Sequence, residues 1–384
     1  MNTIAKIGLD CVGCRSCEQS CPRSCISMES NHEGFLYPRI DQSRCIQCGV
    51  CLRSCPVKVP LPEERRPLAV YACKQRDRSA LFRSASGGAS DAAVKAVLHL
   101  GGVAYGAAYD ACLAVHHIEA NCPEKRRKLQ SSKYVQSDLQ DTFSRAKHWL
   151  QQGQLVLFTG TPCQIAGLYS FLGKREDGLY TIDLICHGVP SPELFHLYLR
   201  YQSQKLGEPV EWFSFRAKDR RGWGTHTLLR TRSKTKTQLL TLDKYGKHFL
   251  AGDCYRECCY QCRYAGLNRP ADLTLGDFWG IEKSHPSFNA FLGASAVLVN
   301  TERGHQLLDW MRESVELAPA SLEQILPKQE NLRRATVRPK ERDTFYLQME
   351  QPDFIANLSI GLQWKERVKL LLPPEMLRKI KRHL

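Results

Sequence analysis

The sequence has no long apolar run. None of its hydrophobic stretches reaches the roughly 18 consecutive residues that a membrane-spanning helix needs. The N-terminal stretch MNTIAKIGLDCVGC has no apolar signal core, and no paired carboxylates or Ser/His/Asp set indicate hydrolysis. These absences argue against a membrane-spanning or secreted protein and against a hydrolase, and we expect a cytoplasmic protein.

Cysteine and positive charge, in contrast, are abundant. The 384 residues include 18 cysteines, and 54 Lys and Arg against 39 Asp and Glu give a formal net charge of +15. In a reducing compartment, so many thiols are better explained by metal ligation than by disulfides. The charge favours an anionic partner, such as a phosphorylated substrate, a cofactor phosphate, an acidic electron carrier or a membrane surface. A solvated basic surface is the alternative for any single cation, and we expect no nucleic-acid partner because charge is its only support.

Two related cysteine motifs lie near the N-terminus. Residues 11–22 (CVGCRSCEQSCP) and 45–56 (CIQCGVCLRSCP) both have the spacing C-x2-C-x2-C-x3-C-P. This repeat is typical of a ferredoxin with two 4Fe–4S clusters, in which the fourth cysteine of each motif binds the other cluster; zinc fits the spacing poorly. The sequence predicts one cluster on set I (Cys11, Cys14, Cys17 and Cys55) and one on set II (Cys21, Cys45, Cys48 and Cys51), with Cys25 as a bystander.

The rest of the chain has the pattern of an α/β body. Strand-like stretches (68–74, 103–110, 155–158 and 180–185) alternate with helical ones (89–99, 138–150 and from residue 162). This alternation predicts a parallel or mixed sheet. We divide the chain into a two-cluster ferredoxin domain (1–60), a charged, Pro-rich linker (61–67), two parts of the body (68–150 and 151–310) and a basic C-terminal extension (311–384).

A second group of cysteines maps to the body. Cys163 follows a predicted strand in the first turn of a helix, and Cys186 ends the next strand. Ligands bind at the carboxyl edge of such sheets, and the C-x2-C pair Cys259 and Cys262 would complete four ligands for a third 4Fe–4S cluster. A local grouping of Cys254, Cys258, Cys259 and Cys262, with three of them on one helix face, and a zinc site are the alternatives. Spacing alone leaves all three open.

A Gly/Ser loop runs into a predicted helix at residues 84–94 (SASGGASDAAV). Backbone N–H groups that point outward at a helix N-terminus form a ready phosphate site. An ordinary capped turn has the same pattern.

The sequence resembles the coenzyme F(420) hydrogenase/dehydrogenase beta-subunit family, in particular its bacterial branch found with polysaccharide-biosynthesis proteins. Seven stretches carry the resemblance, in order: SASGGASDAAV, SSKYVQSD, LFTGTPCQIAGL, IDLICHGVPSP, SFRAKDRRGW, CYQCRYA and ADLTLGDFWGI. The order and spacing hold from about residue 5 to residue 310, and the last 70 residues match loosely.

The resemblance implies an iron–sulfur flavoprotein with FAD and a third cluster beside it. It assigns that cluster to set III (Cys163, Cys186, Cys259 and Cys262), and leaves Cys254 and Cys258 as extras. For FAD it points to the loop residues Ser84, Ser86, Gly87 and Gly88 and to Lys133, whose ammonium would balance a diphosphate or the reduced flavin. It assigns no catalytic acid or base.

We therefore interpret the chain as an oxidoreductase between a ferredoxin-like one-electron carrier and a two-electron, anionic small-molecule substrate. An electron-transfer subunit for a separate catalytic protein is the alternative. We expect electrons to enter at the ferredoxin domain, on the far side of the linker. We also expect the alternating stretch 228–240 to present Arg230, Arg232, Lys234 and Lys236 on one face to the substrate, and the basic tail 370–384 to contact an acidic membrane surface.

Overall fold

The computed structural model describes residues 3–60, 66–218 and 222–360. The tail 370–384, for which we predicted membrane contact, and residues 61–65 of the linker lie outside the described residues. No helix within the described ranges combines the length and the apolar character that crossing a membrane requires.

The strands alternate with helices through most of the body, as predicted, except at 103–120 and 212–239, where strands follow one another directly. In chain order the strands are β1 (Ile26–Ser30), β2 (Leu36–Ile40), β3 (Ala69–Gln75), β4 (Val103–Tyr109), β5 (Val115–Ala120), β6 (Val156–Gly160), β7 (Leu179–Leu184), β8 (Trp212–Ser214), β9 (His226–Arg230), β10 (Thr235–Leu239), β11 (Leu273–Asp277), β12 (Ser295–Val299) and β13 (Val315–Ala320).

The helices differ widely in length. They are α1 (Ser16–Gln19), α2 (Val50–Arg53), α3 (Arg78–Arg83), α4 (Ala89–His99), α5 (Pro123–Leu129), α6 (Thr142–Gln151), α7 (Pro162–Leu172), α8 (Pro192–Leu206), α9 (Lys244–Ala251), α10 (Ile281–Ser284), α11 (Glu302–Met311), α12 (Leu322–Ile325), α13 (Arg342–Leu347) and α14 (Phe354–Asn357).

The N-terminal domain is small and is built around its cysteines. The antiparallel strands β1 and β2 pair with Ile26 opposite Ile40, and α1 and α2 each carry one cysteine of a motif. Its buried core consists of Ile4, Ile7, Ile26 and the thiols themselves. So few apolar side chains form a weak core, and a domain of this size is only marginally stable without a further stabilising element such as a bound metal.

The body has one large mixed sheet, which confirms the predicted fold class. The strand order is β13-β3-β12-β11-β7-β6-β4-β5. Strands β4, β6, β7 and β11 run parallel, and the remaining neighbours pair antiparallel. Every residue of the central strand β12 is buried, because helices cover both faces of the sheet. The edge strand β13 lies beyond residue 310, so the sheet extends past the predicted end of the body.

The parallel strands β6 and β7 bring two loops to one edge of the sheet. Gly160 at the end of β6 pairs with Asp183 near the end of β7, so the segments that follow them emerge side by side. Helix α7 begins directly after β6, where Thr161 and Gln164 form a reciprocal capping box and Pro162 occupies the first turn. This geometry places Cys163 and Cys186 at the same carboxyl edge, as predicted.

The basic stretch 228–240 is not a single strand, and that prediction was wrong. It forms the hairpin β9-β10, closed by a hydrogen bond from the Thr231 N–H to the Lys234 carbonyl oxygen (3.0 Å). Arg230 lies over the Trp212 ring, 4.9 Å from its centroid, and the Lys236 ammonium donates to Gln202 (3.0 Å). Because the chain reverses between them, the cations do not form the expected row.

The ferredoxin domain packs directly against the body, although we expected it to stand apart beyond the linker. Arg15 of the domain donates to Asp138 of the body, with Nη2–Oδ2 at 2.9 Å. Arg342, from the C-terminal part, makes a bidentate pair with Glu33 of the domain, with Nη2–Oε2 at 2.7 Å. Both members of the second pair are buried, so the contact excludes water and fixes the orientation of the domain.

Candidate iron–sulfur and flavin site

Set I lies in the buried part of the ferredoxin domain. All four of its thiols are less than a tenth exposed. Burial raises the pKa of the Cys14 thiol well above its ordinary value, and its neighbours Cys17, Cys11 and Cys55 raise it further. The structure therefore brings together the four cysteines that the crossed motif spacing groups.

Set II lies at the surface of the same domain. One cavity is lined by all four of its cysteines, Cys21, Cys45, Cys48 and Cys51. Cys48 is exposed, and the neighbouring Ile46 side chain is 60% exposed. Cys25 also lines this cavity, with its sulfur 3.4 Å from that of Cys21, so the expected bystander lies beside the ligand set.

Set III is assembled from three separate loops at the carboxyl edge of the sheet. Cys163 is in the first turn of α7, Cys186 follows β7, and Cys259 and Cys262 lie in and just after a 3-10 turn at Glu257–Gln261. Burial raises the pKa of Cys186 to about 12, with a further contribution from Cys262. The nearby Cys186 and Cys163 also help to raise the pKa of Cys259. The four thiols are therefore neighbours.

The local grouping of four consecutive cysteines does not form. Residues 254–262 are not an α-helix, and Cys254 is fully buried among aromatic side chains, with no other cysteine among the groups that shift its pKa. Cys258 lies near both neighbouring sets: it helps to raise the pKa of Cys11 in set I and that of Cys163 in set III. A hydrogen bond with Cys259 and the charge of Arg256 lower the pKa of Cys258 itself.

The donor chemistry of the three sets fits iron–sulfur clusters. All eighteen cysteines are free thiols, and the thiols of sets I and III, whose pKa values are raised, stay protonated unless a cation compensates the thiolates. In the described part of the chain, no three His, Cys, Asp or Glu side chains converge at the distance of a single metal ion. A cubane uses each of four sulfurs on a different iron, so its ligands need not share one ion.

Sets I and III face each other across the interface between the domain and the body. Gly167 of α7 lies so close to set I that an added Cβ would be 3.0 Å from the Cys14 sulfur. Tyr264 is buried between the sets: its hydroxyl donates to the Pro56 carbonyl oxygen (3.3 Å). Burial raises the pKa of this phenol, as do the nearby Cys163 and Cys14.

The loop predicted to bind a flavin phosphate uses its polar groups internally. The Ser84 hydroxyl donates to Ala80, the Ser86 hydroxyl donates to Ala294, and the Gly87 N–H donates to the Ser295 hydroxyl (3.0 Å). A Cβ at Gly87 would lie 2.0 Å from the Cys73 carbonyl oxygen. The glycine is therefore required by close packing against β3, and the expectation that its N–H points outward was wrong. Gly88, with φ +82°, starts α4.

Lys133 is a half-buried cation. Its ammonium donates to the carbonyl oxygens of Lys128 (3.0 Å), Gln130 (2.8 Å) and Ser131 (3.3 Å). Among the described residues it has no carboxylate within ion-pair distance, and burial lowers its pKa to about 7. The site therefore holds a positive charge that only neutral groups solvate, which favours a nearby anion.

A second lysine, which is buried, contacts the loop and was missed by sequence reasoning. The Lys218 ammonium donates to the carbonyl oxygen of Ser86 (2.7 Å), and burial, together with Arg216, lowers its pKa to about 7. Arg216 pairs with Asp277 (2.8 Å) and donates to the Tyr134 hydroxyl (2.9 Å). Both basic residues belong to the block SFRAKDRRGW, which the resemblance marked without a role.

Two parts of the chain match known families. Residues 153–324 match the family described as the C terminus of the beta subunit of coenzyme F420 hydrogenase/dehydrogenase. Residues 10–59 match the 4Fe-4S dicluster domain. The second match confirms an N-terminal ferredoxin-type domain, and the chain is therefore an iron–sulfur protein.

Curated relatives match a short part of the chain. The B subunit of an ion-translocating oxidoreductase complex from Methanosarcina acetivorans is 36% identical over 58 residues, 15% of this chain and 19% of the relative. The I subunit of NADH-quinone oxidoreductase from Pelobacter propionicus is 36% identical over 64 residues, 15% of this chain and 34% of the relative. The chain thus matches at most about a third of the length of these two proteins.

One solved structure covers most of the chain. It is a chain of the F420-reducing [NiFe] hydrogenase complex from Methanosarcina barkeri, with a TM-score of 0.48 and 18% identity, and the match covers 73% of this chain and 99% of that chain.

Proposed function

We propose that this protein is an iron–sulfur flavoprotein oxidoreductase that passes electrons between a ferredoxin-like one-electron carrier and a two-electron substrate. Three sets of four cysteines would hold three 4Fe–4S clusters. The observation that carries the proposal is the direct contact between set I, at Cys14, and helix α7, whose first turn carries Cys163 of set III. Bound clusters supply one-electron steps, and a flavin converts such steps into a two-electron transfer.

The surface near set II suits a small acidic carrier. Cys48 and Ile46 are exposed there, and the arginines Arg23, Arg44 and Arg53 surround the same loops. Arg53 donates to the Cys48 carbonyl oxygen (3.2 Å), so its charge is held at this edge. A basic rim speeds encounter with an acidic partner and makes it salt-dependent. Set II is therefore the proposed entry point for electrons.

These two lysines are the proposed anchors of the flavin. Lys133 and Lys218 each donate to main-chain carbonyl oxygens, and Lys218 does so at the Ser86 carbonyl of the candidate loop. Two buried ammonium groups favour a diphosphate or an anionic ring between them. The loop would contribute a closely packed surface to the flavin site, rather than N–H groups that bind its phosphates. We therefore place FAD against Ser84–Gly88 on the side of the lysines, with an anionic substrate beyond it.

Iron and flavin analysis tests the proposal. Anaerobically purified protein should contain about twelve irons per chain, four for each set of four cysteines, and FAD that heat releases. Cys259→Ser should lose about four irons and leave the signals of the ferredoxin domain unchanged. Cys254→Ala is the matched control, because this buried thiol lies outside all three sets and should keep all the iron. About eight irons in the native protein would refute the third cluster, and the absence of any flavin would refute the two-electron step.

A second candidate function is an electron-transfer subunit that serves a separate catalytic protein. It is supported by the family description, which names a beta subunit, and by relatives that are subunits of oxidoreductase complexes. Turnover of a two-electron acceptor by the isolated protein would favour the first function. Flavin reduction without turnover until a partner protein is added would favour the second. A cytoplasmic location belongs to both proposals, because many free thiols suit a reducing compartment.

A further inference from the structure

Arg256 is the most buried cation between the ferredoxin domain and the body. Its side chain is 0% exposed, and its three nitrogens are all engaged. The Nε atom donates to the Cys11 carbonyl oxygen (2.6 Å), Nη1 donates to Gln136 Oε1 (3.0 Å), and Nη2 donates to the Leu36 carbonyl oxygen (2.8 Å). The guanidinium also lies 4.1 Å from the centroid of the Tyr37 ring.

These partners give Arg256 no carboxylate to balance its charge. The other buried arginines of the described residues each pair with a carboxylate: Arg216 with Asp277, Arg269 with Asp183 and Arg342 with Glu33. Arg256 has neutral oxygens, aromatic rings and the thiols of Cys258 and Cys11 around it, and no carboxylate of the described chain lies within ion-pair distance of it. An isolated buried cation is costly, so the fold needs a negative charge close to it.

Set I, the half-buried set III and Cys258, which contacts Arg256 directly, are the available sources of that charge. Arg256 holds the Cys11 carbonyl of set I, and its own carbonyl oxygen accepts from the Cys259 N–H of set III (2.9 Å). Its N–H donates to Val189 (2.9 Å), in the loop that follows Cys186. Four thiolates give a 4Fe–4S cubane a net negative charge, and net charge and hydrogen bonding set its reduction potential. One guanidinium thus stands beside two anionic sites.

We infer that Arg256 sets the reduction potentials of the clusters held by sets I and III. This inference rests on the proposed function. Adding an electron to an anionic cluster is harder in a buried site than at the surface, because water no longer solvates the extra charge. A fixed positive charge offsets that penalty. Arg256 therefore keeps the two buried clusters easy enough to reduce that an electron entering at the exposed set II moves inward.

Potentiometric titration followed by electron paramagnetic resonance tests the inference. Arg256→Gln should lower the equilibrium constant for reduction of at least one buried cluster by about tenfold, which is about 59 mV for a one-electron couple. Arg256→Lys, which keeps the charge, should change it by less than about threefold, or under about 30 mV on the same scale. The exposed set II cluster should keep its potential in both variants and serves as an internal reference.

Two further variants distinguish an effect of charge on the reduction potentials from an effect of altered packing. Gln136→Glu places a carboxylate next to Nη1 without touching Arg256, and should shift the same cluster in the same direction as Arg256→Gln. The double variant Glu33→Gln/Arg342→Gln removes an ion pair from the same interface without changing the net charge, and should leave all reduction potentials unchanged.

The outcomes are distinct for the inference and for the proposed function. The inference would be overturned if Arg256→Gln kept all its iron and its potentials did not change. It would also be overturned if Arg256→Lys shifted the potentials as much as Arg256→Gln does. In both cases the proposed clusters would remain supported. If Arg256→Gln loses its iron, the potentials of Gln136→Glu are measured instead, and unchanged potentials in that variant would overturn the inference. A native protein that binds no cubanes would overturn the proposed function and the inference with it.

Discussion

Gly167→Ala is the sharpest single test of the contact between the ferredoxin domain and the body. Gly167 lies inside α7, four residues after Cys163. An added Cβ would lie 2.9 Å from the Cys14 Cβ and 3.0 Å from the Cys14 sulfur. Both distances are well inside the roughly 3.5–4.0 Å of a favourable contact between carbon atoms. The substitution therefore pushes a ligand of set I away from α7.

Two opposing effects determine the size of the loss. Alanine is better than glycine inside a helix by about 1 kcal/mol. Overpacking a well-filled interior costs about 1–3 kcal/mol, and here the neighbour that must move is held by its own domain. The expected net effect is a loss of about 1 kcal/mol of folding free energy, which lowers the melting temperature by about 2–4 °C in a body of this size.

The assay combines thermal unfolding with iron content and electron paramagnetic resonance. Ser170→Ala, at a half-buried position in the same helix, is the control for helix propensity and should be neutral or slightly stabilising. Gly167→Ala should alter the signal of the set I cluster and leave the other clusters unchanged. A Gly167→Ala protein that is as stable as Ser170→Ala, with an unaltered set I signal, would refute the packing of α7 against Cys14.

Two other predictions concern the buried charges. Burial lowers the pKa of Lys133 to about 7, and a bound flavin anion would raise this pKa, so FAD binding takes up a proton. The affinity for FAD, measured by equilibrium dialysis, should therefore be constant below about pH 7 and fall up to tenfold per pH unit above it. Lys133→Gln should reduce this slope without abolishing it, because burial also lowers the pKa of Lys218 to about 7; an unchanged slope would mean that Lys133 does not contribute. Glu33→Gln removes the bidentate partner of Arg342, which keeps Glu257 at 3.5 Å from its Nε, and should cost about 1–3 kcal/mol, whereas the double variant with Arg342→Gln should cost less. Urea denaturation of all four proteins of this cycle measures the coupling, and a double variant as unstable as the sum of its single variants would show that the pair contributes nothing.

Local spacing predicted the parts of the site whose geometry is local. The two ferredoxin motifs specify their own loops, and strand β6 followed by Thr161 and Pro162 specifies where α7 begins. Helix α4 has the predicted bounds, because its apolar positions recur with helical spacing. The grouping of Cys163 with Cys186 followed from the rule that parallel strands share a carboxyl edge.

Interactions between distant segments could not be predicted from local patterns. The loop glycine Gly87 looks like a phosphate-binding glycine, but the neighbouring strand β3 and Ser295 determine its role. The stretch 228–240 alternates like one strand, yet it reverses at Arg232 and Ser233 so that β9 and β10 can pair. The sequence also carries no signal that Arg256 would meet Cys11, 245 positions away.

The short segment 256–264 explains why a second cysteine cluster lies so far along the chain. Within its 3-10 turn, Cys258 is close enough to Cys11 of set I to raise its pKa, and its neighbour Cys259 is close to Cys186 of set III. Arg256 at one end and Tyr264 at the other donate to carbonyl oxygens of the ferredoxin domain. One rigid piece of chain therefore contacts both sets at once, so their separation is fixed by covalent geometry and buried hydrogen bonds. A ferredoxin domain tethered only by the linker would sample many separations, and transfer between the two sites would then depend on chance encounters within the molecule.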